Sequence, residues 1–325
     1  MKRSAVLGLA LLGVLGGSPA GAQQSGKTYR VGILVGGTGA SFSRNIAAFR
    51  RALSGLGYQE GKNLTIIYRS AGGYSDRLPA LAAEIVRAKP DVIVVSGTAI
   101  TPAKRATTSV PIVMMQATDP VGLGIVASLA RPGGNVTGMT NIEAELTGKR
   151  LQLLKELVPH LRRVAVVRSP SSNGNMISWR AAESVGRTMG IEVVAVDIGS
   201  PDLTDVAFKA LPLLRVDGML VLNGPGIAEN AARFVRLVAA RQLPAVYDIA
   251  GYASIGGLIA YGPSDVGTWS QAATYVDRIL KGAKPADLPV ERPTTFDLIV
   301  NLKTARVLGI TVPQSILLQA TQVIQ

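Results

Sequence analysis

Small hydroxyl, amide and carboxylate residues follow two apolar runs in the first half of the chain, where they could bind opposite ends of a zwitterion. Gly97 and Thr98 precede a predicted short helix, whose first backbone N–H groups could bind a carboxylate; a simple N-cap would use the same residue types. Gln116 and Asp119 follow the next run, and Asp119 could pair with an ammonium group or merely begin a turn. These four residues are therefore candidate ligand-binding residues.

A glycine-rich loop, Gly36–Phe42, follows the first apolar run of the chain. A loop of this kind can cradle a phosphate, but this one lacks both a GxGxxG pattern and the Lys-Ser/Thr pair of a P-loop. We therefore expect no phosphate-containing cofactor. The more modest interpretation is a close-approach loop that brings Ser41 and Phe42 to a ligand.

Polar loops also follow the apolar runs of the second half of the chain. Asn173, Asn223 and Asp248 in these loops could supply hydrogen bonds from the opposite side of a cleft. Residues of these types, with the Gly and Pro beside them, are also ordinary turn formers, so each residue alone could equally be structural. Together with the first-half loops, they predict a ligand held from two sides.

The absence of thiol side chains and the presence of a single imidazole exclude several kinds of chemistry. Among 325 residues there is no Cys, which excludes disulfides, thiolate metal sites, cysteine nucleophiles and a lipid-modified N-terminal cysteine. A single His excludes metal sites built from two or more imidazoles. A hydrolytic triad would have to use His160, which follows Pro159 at a predicted surface helix end. We expect no catalytic residues, no bound metal ion and no cofactor.

The net charge of +13 raises the question of nucleic-acid binding. The positive residues are scattered, and the aromatic residues, at 5% of the chain, do not interleave with them as a base-stacking surface requires. We therefore expect solvated helix faces and no nucleic-acid partner.

The N-terminus has the layout of a secretory signal peptide. Lys2 and Arg3 precede the apolar stretch Ala5–Gly16, and Ala20 and Ala22 supply small residues at −3 and −1 of a cleavage site. A membrane anchor is the alternative, but about 12 apolar residues are too few for a bilayer that needs about 20. We expect residues 1–22 to be removed on export to the periplasm.

From Tyr29 onward, short β-branched runs alternate with longer segments whose apolar residues recur at helical spacing. Ile46, Phe49 and Leu53 illustrate this spacing. Strands that alternate with helices predict right-handed crossovers and a parallel sheet covered on both faces. The same pattern restarts at Arg163, so the chain contains two such units.

The fold class predicted from this pattern is α/β, with two doubly wound parallel-sheet lobes joined by a hinge. We expect residues 28–141 plus 264–288 to form the first lobe and residues 142–263 plus 289–325 the second. Ligands of open parallel sheets bind beyond the carboxyl ends of the strands, which is where the candidate residues lie.

Long ordered motifs resemble the tryptophan/tyrosine-type ABC transporter substrate-binding protein family over essentially the whole mature length. Such stretches are more specific than any single glycine motif. The matching stretches are Leu56–Leu64, Tyr74–Pro79, Pro111–Val113, Asp119–Gly122, Ser128–Gly138, Gly148–Leu151, Ala273–Pro285 and Asn301–Ala305.

This resemblance implies a type 1 periplasmic-binding fold whose lobes close on a small carboxylate-bearing solute, an amino acid that could be aromatic. It also implies delivery to an inner-membrane ABC permease and its ATPase by a monomer that is free in the periplasm and not lipid-anchored. The family's binding loops carry over onto Gly97, Thr98 and Asp119, with Thr140 and Asn141 as neighbours on the cleft side. The alternative is a periplasmic sensor or chemoreceptor ligand-binding protein of the same fold.

Overall fold

Two separate β-sheets organise residues 27–224 and 226–325, the part of the chain that a computed structural model describes. The predicted signal peptide, residues 1–22, lies outside this part. Each sheet is covered by helices on both faces, so the predicted α/β architecture with two lobes is confirmed. Within the described residues no helix is both long and apolar enough to cross a bilayer.

The first sheet has five strands in the order β2-β1-β3-β4-β5, and all neighbouring strands are parallel. The strands are β1 (Tyr29–Val35), β2 (Leu64–Ser70), β3 (Val92–Ser96), β4 (Ile112–Thr118) and β5 (Val136–Asn141). The helices that connect the first four are α1 (Gly39–Gly55), α2 (Leu78–Arg87) and α3 (Ile100–Ala106).

The second sheet has seven strands in the order β12-β11-β10-β9-β8-β6-β7. The strands are β6 (Arg163–Arg168), β7 (Glu192–Asp197), β8 (Gly218–Val221), β9 (Ala245–Tyr247), β10 (Ile259–Pro263), β11 (Phe296–Asn301) and β12 (Gln322–Ile324). The remaining α-helices are α4 (Glu143–Leu157), α5 (Asn173–Met189), α6 (Thr204–Ala210), α7 (Ala231–Ala240), α8 (Gly251–Ser254), α9 (Asp265–Leu280), α10 (Leu302–Val307) and α11 (Gln314–Gln319).

The sequence forms these elements because its apolar residues match the faces that each element buries. Every residue of β3 and of β8 is buried, as expected for central strands of a parallel sheet that is covered on both faces. In α1 the predicted stripe of Ile46, Phe49 and Leu53 is buried against the first sheet.

The chain crosses between the lobes three times. It first leaves the first sheet after β5 and enters α4, whose leucines pack in the core of the second lobe. It returns after β10, and Trp269 and Tyr275 of α9 are buried in the first lobe beside Phe49. The predicted lobe division after residue 288 stays a prediction, but Val290 and Glu291 still hydrogen-bond to the first lobe, so the third crossing comes after them.

One pairing differs from the predicted all-parallel lobes. β11 runs antiparallel to β10, with Pro263 opposite Phe296 at the end nearest the first lobe. β10 leads out of the second lobe and β11 leads back into it, so the two strands must run in opposite directions. Among the pairings of the described strands, this is the single antiparallel one.

Candidate functional site

A cavity of about 360 Å³ lies between the two lobes, where the carboxyl ends of both sets of parallel strands face each other. Its size falls in the range of small-molecule sites, about 300–1,000 Å³. The structure brings most of the predicted site residues together around it. These are Phe42, Gly97, Thr98, Gln116, Asn141, Asn173, Asn223 and Asp248. Their contact with a ligand stays a prediction.

Two predicted site residues lie elsewhere. Asp119 and Thr140 line a separate, smaller cavity of about 180 Å³. The Asp119 carboxylate accepts a hydrogen bond from the backbone N–H of Gly122 at 3.0 Å, in a tight turn where Asp119 itself has φ of 45°. The Thr140 hydroxyl is buried and donates to the carbonyl of Ala117 at 2.6 Å. A third predicted residue, Ser41, lies in α1, but its side chain is outside the part of the chain that the structure describes.

The first-lobe wall contains polar residues, a helix start and a set of apolar side chains. Gly97, with φ of 55°, and Thr98 form the turn that leads into α3, which places the start of that helix at the cavity. Gln116 also has a positive φ, of 54°, and its amide donates to the carboxylate of Asp265 at the start of α9. The apolar lining residues of this lobe include Phe42, Leu78, Ile100, Leu123 and Ile125.

The second-lobe wall is held by a network centred on Asn223. Its backbone N–H donates to Asp248 Oδ2 at 2.7 Å, and its side-chain Oδ1 accepts from the hydroxyl of Tyr252 at 2.7 Å. Its carbonyl accepts from Asn175 Nδ2 at 3.1 Å. These bonds fix the loops after β8 and β9 relative to the start of α5, where Asn173 lines the cavity.

The N-terminus of α5 is the second helix start at the cavity. Ser172 caps it by accepting from the backbone N–H of Asn175 at 3.3 Å, and Asn173 and Gly174 are its first lining residues. The first N–H groups of a helix lack partners within the helix, and the helix dipole favours negative charge there. The cavity therefore receives a helix start from each lobe, α3 from the first and α5 from the second.

The charged residues that line the cavity within the described chain are all acidic: Glu143, Glu229, Asp248 and Asp265. Behind them lies Arg150, whose side chain is fully buried. Its Nη1 donates to Glu143 Oε2 at 2.6 Å and its Nε donates to the carbonyl of Tyr261 at 2.7 Å. Arg150 thus compensates the charge of Glu143 directly and that of Asp248 through space.

Burial raises the pKa of three of these carboxyl groups, Glu229, Asp248 and Asp265. It raises the pKa of Asp248 to about 7, although the guanidinium of Arg150 acts in the opposite direction. It raises the pKa of Asp265 to about 6, and the hydrogen bond from Gln116 opposes that rise. Both groups would ionise more readily if a cation came next to them.

Three buried side-chain atoms of the cavity wall have no hydrogen-bond partner among the described residues. They are Asn141 Oδ1, Glu229 Oε1 and Asp248 Oδ1, and all three oxygens are hydrogen-bond acceptors. A buried polar atom without a partner is costly, so these atoms favour a ligand that brings donors. An ammonium group supplies three donors and a positive charge.

The two lobes touch across the mouth of the cavity. The hydroxyl of Tyr74 donates to Asp202 Oδ2 at 3.0 Å, and Ser75 Oγ lies 3.1 Å from Ser171 Oγ. Gly73 approaches Glu229 so closely that a Cβ on that glycine would lie 2.8 Å from the carboxyl carbon. The structure therefore has the two lobes in direct contact beside a partly open cavity.

Sequence reasoning missed Glu143, Glu229 and Asp265. Asp265 directly follows Tyr261–Ser264, a segment that reads as a crossing between lobes, and Glu143 follows Asn141 at another crossing. A rule that a charged residue at a crossing faces the cleft would have found both. For Glu229 we find no comparable signal in the sequence.

His160 lies in an exposed turn between α4 and β6 and is not among the cavity residues. Trp179 packs under the guanidinium of Arg168, 4.4 Å from ring centroid to Cζ, and Trp269 is buried.

No group of three or more His, Cys, Asp or Glu side chains that could hold a metal ion occurs in the described residues.

A model of the family described as ABC transporter substrate binding protein matches residues 30–324. A curated protein from Clostridioides difficile, named tyrosine-binding protein, is 26% identical over 261 residues, which cover 80% of this chain and 75% of that protein.

Two solved structures superpose closely on the chain. A conserved domain protein from Vibrio cholerae is 27% identical, with a TM-score of 0.85 over 91% of this chain and all of that one. An ABC domain in complex with L-Trp from Streptococcus pneumonia is 25% identical, with a TM-score of 0.84 over 92% of this chain and all of that one. The similarity therefore covers both lobes.

Proposed function

Because the chain belongs to the ABC transporter substrate binding protein family and is a solute-binding protein and not an enzyme, we propose that it captures an amino acid outside the cytoplasm. The two lobes close on the solute, and the loaded protein delivers it unchanged to a membrane permease that a cytoplasmic ATPase drives. The observation that carries this proposal is the cavity between the lobes, which combines partnerless buried acceptors with two helix starts.

The ammonium end of the solute would bind at the hinge. Asp248 Oδ1 and Asn141 Oδ1 are buried acceptors that lack partners among the described residues, and both belong to the cavity wall. An ammonium placed there would gain charge-assisted hydrogen bonds and would compensate the carboxylate of Asp248. This assignment gives Asp248 and Asn141 the ammonium-binding role that sequence analysis predicted for Asp119.

The carboxylate end would bind at the helix starts. Gly97 and Thr98 lead into α3, and Asn173 and Gly174 begin α5, so N–H groups from both lobes border the cavity. Backbone N–H groups at a helix start bind carboxylates readily because the helix dipole adds to the hydrogen bonds. The apolar residues of the first lobe would then contact the side chain of the amino acid.

Closure follows from binding both lobes at once. A solute shifts the balance between open and closed forms only by its greater affinity for the closed one. Contacts from Asp248 on one side and from Gly97 and Thr98 on the other exist together only when the lobes meet. Micromolar capture requires about −8 kcal/mol, which two charged ends and one buried side chain can supply.

The test is to identify the solute directly. Mass spectrometry of the small molecule that co-purifies with the mature chain should find an amino acid, and calorimetry should measure its binding after the protein has been stripped and refolded. The tyrosine-binding and L-Trp-bound relatives make tyrosine and tryptophan natural members of the panel. A sugar or a nucleoside as the sole binder would contradict the proposal.

A further inference from the structure

The charge of the cavity wall exceeds what one ammonium group would balance. Glu143 is paired with Arg150, but Asp248, Asp265 and Glu229 form no ion pair with any described residue. No lysine or arginine of the described chain lines the cavity. A zwitterionic amino acid carries one cationic group, so when that group binds at the hinge Glu229 is left without a cation.

Glu229 belongs to a different loop from the hinge carboxylates, although burial, Asp248, Glu229 and Asp265 together raise the pKa of Tyr252. It belongs to the turn before α7, in the segment after β8, whereas Asp248 follows β9 and Asp265 begins α9. The carboxyl groups that raise the pKa of Asp248 are Glu143 and Asp265, which places these three together. Glu229 instead lies at the mouth, where its carboxylate meets Gly73 and the backbone of Thr38 from the first lobe.

The carboxylate of Glu229 is only half satisfied. Its Oε2 accepts from the backbone N–H of Gly226 at 2.6 Å, while its Oε1 is buried and has no hydrogen-bond partner within the described chain. Burial raises the pKa of this group, although hydrogen bonds from the backbone of Glu229 itself, Gly226 and Thr38 act in the opposite direction. A ligand atom that donates a hydrogen bond and carries a positive charge would satisfy both needs.

We propose that the solute is a basic amino acid, whose side-chain cation binds Glu229 while its α-ammonium binds at the hinge beside Asp248. This inference rests on the proposed function and narrows its substrate class. The apolar residues Phe42, Leu78 and Ile100 line the same cavity. They would contact the methylene groups between the two charges, because long basic side chains bury their stems along apolar surfaces.

The experiment compares ligands that differ by one charged group. Calorimetry on the stripped and refolded mature chain measures binding of L-lysine and of L-norleucine, which has a similar chain without the terminal ammonium. Because hydrogen bonds to charged groups contribute strongly, we expect lysine to bind at least about tenfold tighter than norleucine. The panel also contains L-arginine, L-tyrosine, L-tryptophan and 1,5-diaminopentane, which lacks the carboxylate.

The variant Glu229→Gln tests the residue. Glutamine keeps the size of the side chain and an oxygen for the N–H of Gly226 but removes the charge. We expect the ratio of lysine affinity to norleucine affinity to fall by about tenfold in this variant. Asp119→Asn is the matched control, since Asp119 lies outside the cavity, and it should leave the ratio within about twofold.

The outcomes separate this inference from the proposed function. One outcome is that norleucine, tyrosine or tryptophan binds while lysine and arginine bind no tighter. That result refutes a side-chain cation at Glu229 and leaves the amino-acid proposal standing. If no amino acid binds, both are refuted. If diaminopentane binds as tightly as lysine, the second charge is supported and the carboxylate part of the proposed function is refuted. A lysine preference that Glu229→Gln leaves intact would refute the assignment to Glu229.

Discussion

Asp119 and Asp248 follow β4 of the first sheet and β9 of the second, yet their carboxylates stand in opposite environments. Asp119 is exposed and accepts the N–H of Gly122, three residues further along its own turn. Asp248 is buried, accepts the N–H of Asn223 with one oxygen and leaves the other without a partner among the described residues. A carboxylate is available to a ligand where the nearby backbone does not already satisfy its oxygens. A position directly after a strand is therefore not sufficient to predict a binding role.

Replacing Arg150, the cation behind Asp248, should have the largest effect of the changes that test this contrast. Arg150→Met leaves Glu143 and Asp248 buried without the guanidinium, and breaking a buried ion pair costs about 3–5 kcal/mol. We expect the free energy of unfolding, measured by urea denaturation, to fall by that amount. Arg233→Met breaks a half-exposed pair with Asp205 and should cost at most about 1 kcal/mol. Equal losses in the two variants would contradict the buried role of Arg150.

Exchanging each aspartate for asparagine compares the two carboxylates directly. Asp248→Asn keeps an oxygen for the N–H of Asn223 but removes the charge that would hold the ammonium, so the dissociation constant of the amino acid should rise about 10- to 100-fold. Asp119→Asn should change it by less than about twofold, because Asp119 does not line the cavity. Calorimetry measures both, and a larger effect at Asp119 would restore the prediction made from the sequence.

The pH dependence of binding gives the smallest and most specific effect. The pKa of Asp248 is raised to about 7 and that of Asp265 to about 6, so both must lose protons to hold a cation fully. Affinity should therefore be complete only from about one unit above pH 7 and fall as the pH drops through about 7 and 6, by up to about tenfold per unit for each proton taken up.

Titration calorimetry at several pH values, in buffers of different ionisation enthalpy, detects that proton exchange. Asp119→Asn should retain the dependence, and Asp248→Asn should lose the part near pH 7. A dissociation constant that does not change with pH would mean that a cation does not bind at the hinge.

Much of the fold could be predicted because its signals are local. The helical spacing of Ile46, Phe49 and Leu53 and the β-branched content of Val92–Ser96 mark buried faces whatever their surroundings. The rule that ligands bind beyond the carboxyl ends of parallel strands then located most of the cavity wall.

The remaining site residues depend on distant contacts that local patterns do not reveal. Asp265 comes beside Gln116 only because the chain crosses back after β10, and Glu229 comes beside Gly73 only when the lobes meet. Asp119 lies outside the cavity between the lobes, and the reason is local. Its own turn provides a donor at a short sequence distance, and the sequence left that possibility open.

The antiparallel pairing of β10 with β11 constrains how the molecule can move. Near the crossings, the backbone N–H of Ser264 donates to the carbonyl of Thr295 at 3.1 Å, so two of the three connecting segments form one two-stranded ribbon. The third connection leaves β5, whose Gly138 and Thr140 exchange backbone hydrogen bonds with Glu291, just before the ribbon. Backbone hydrogen bonds therefore link the segments at all three crossings into one strip, and a rotation of the lobes about this strip would leave those bonds in place. Exchange between loaded and empty forms should therefore be mainly a rotation of one lobe against the other about this strip.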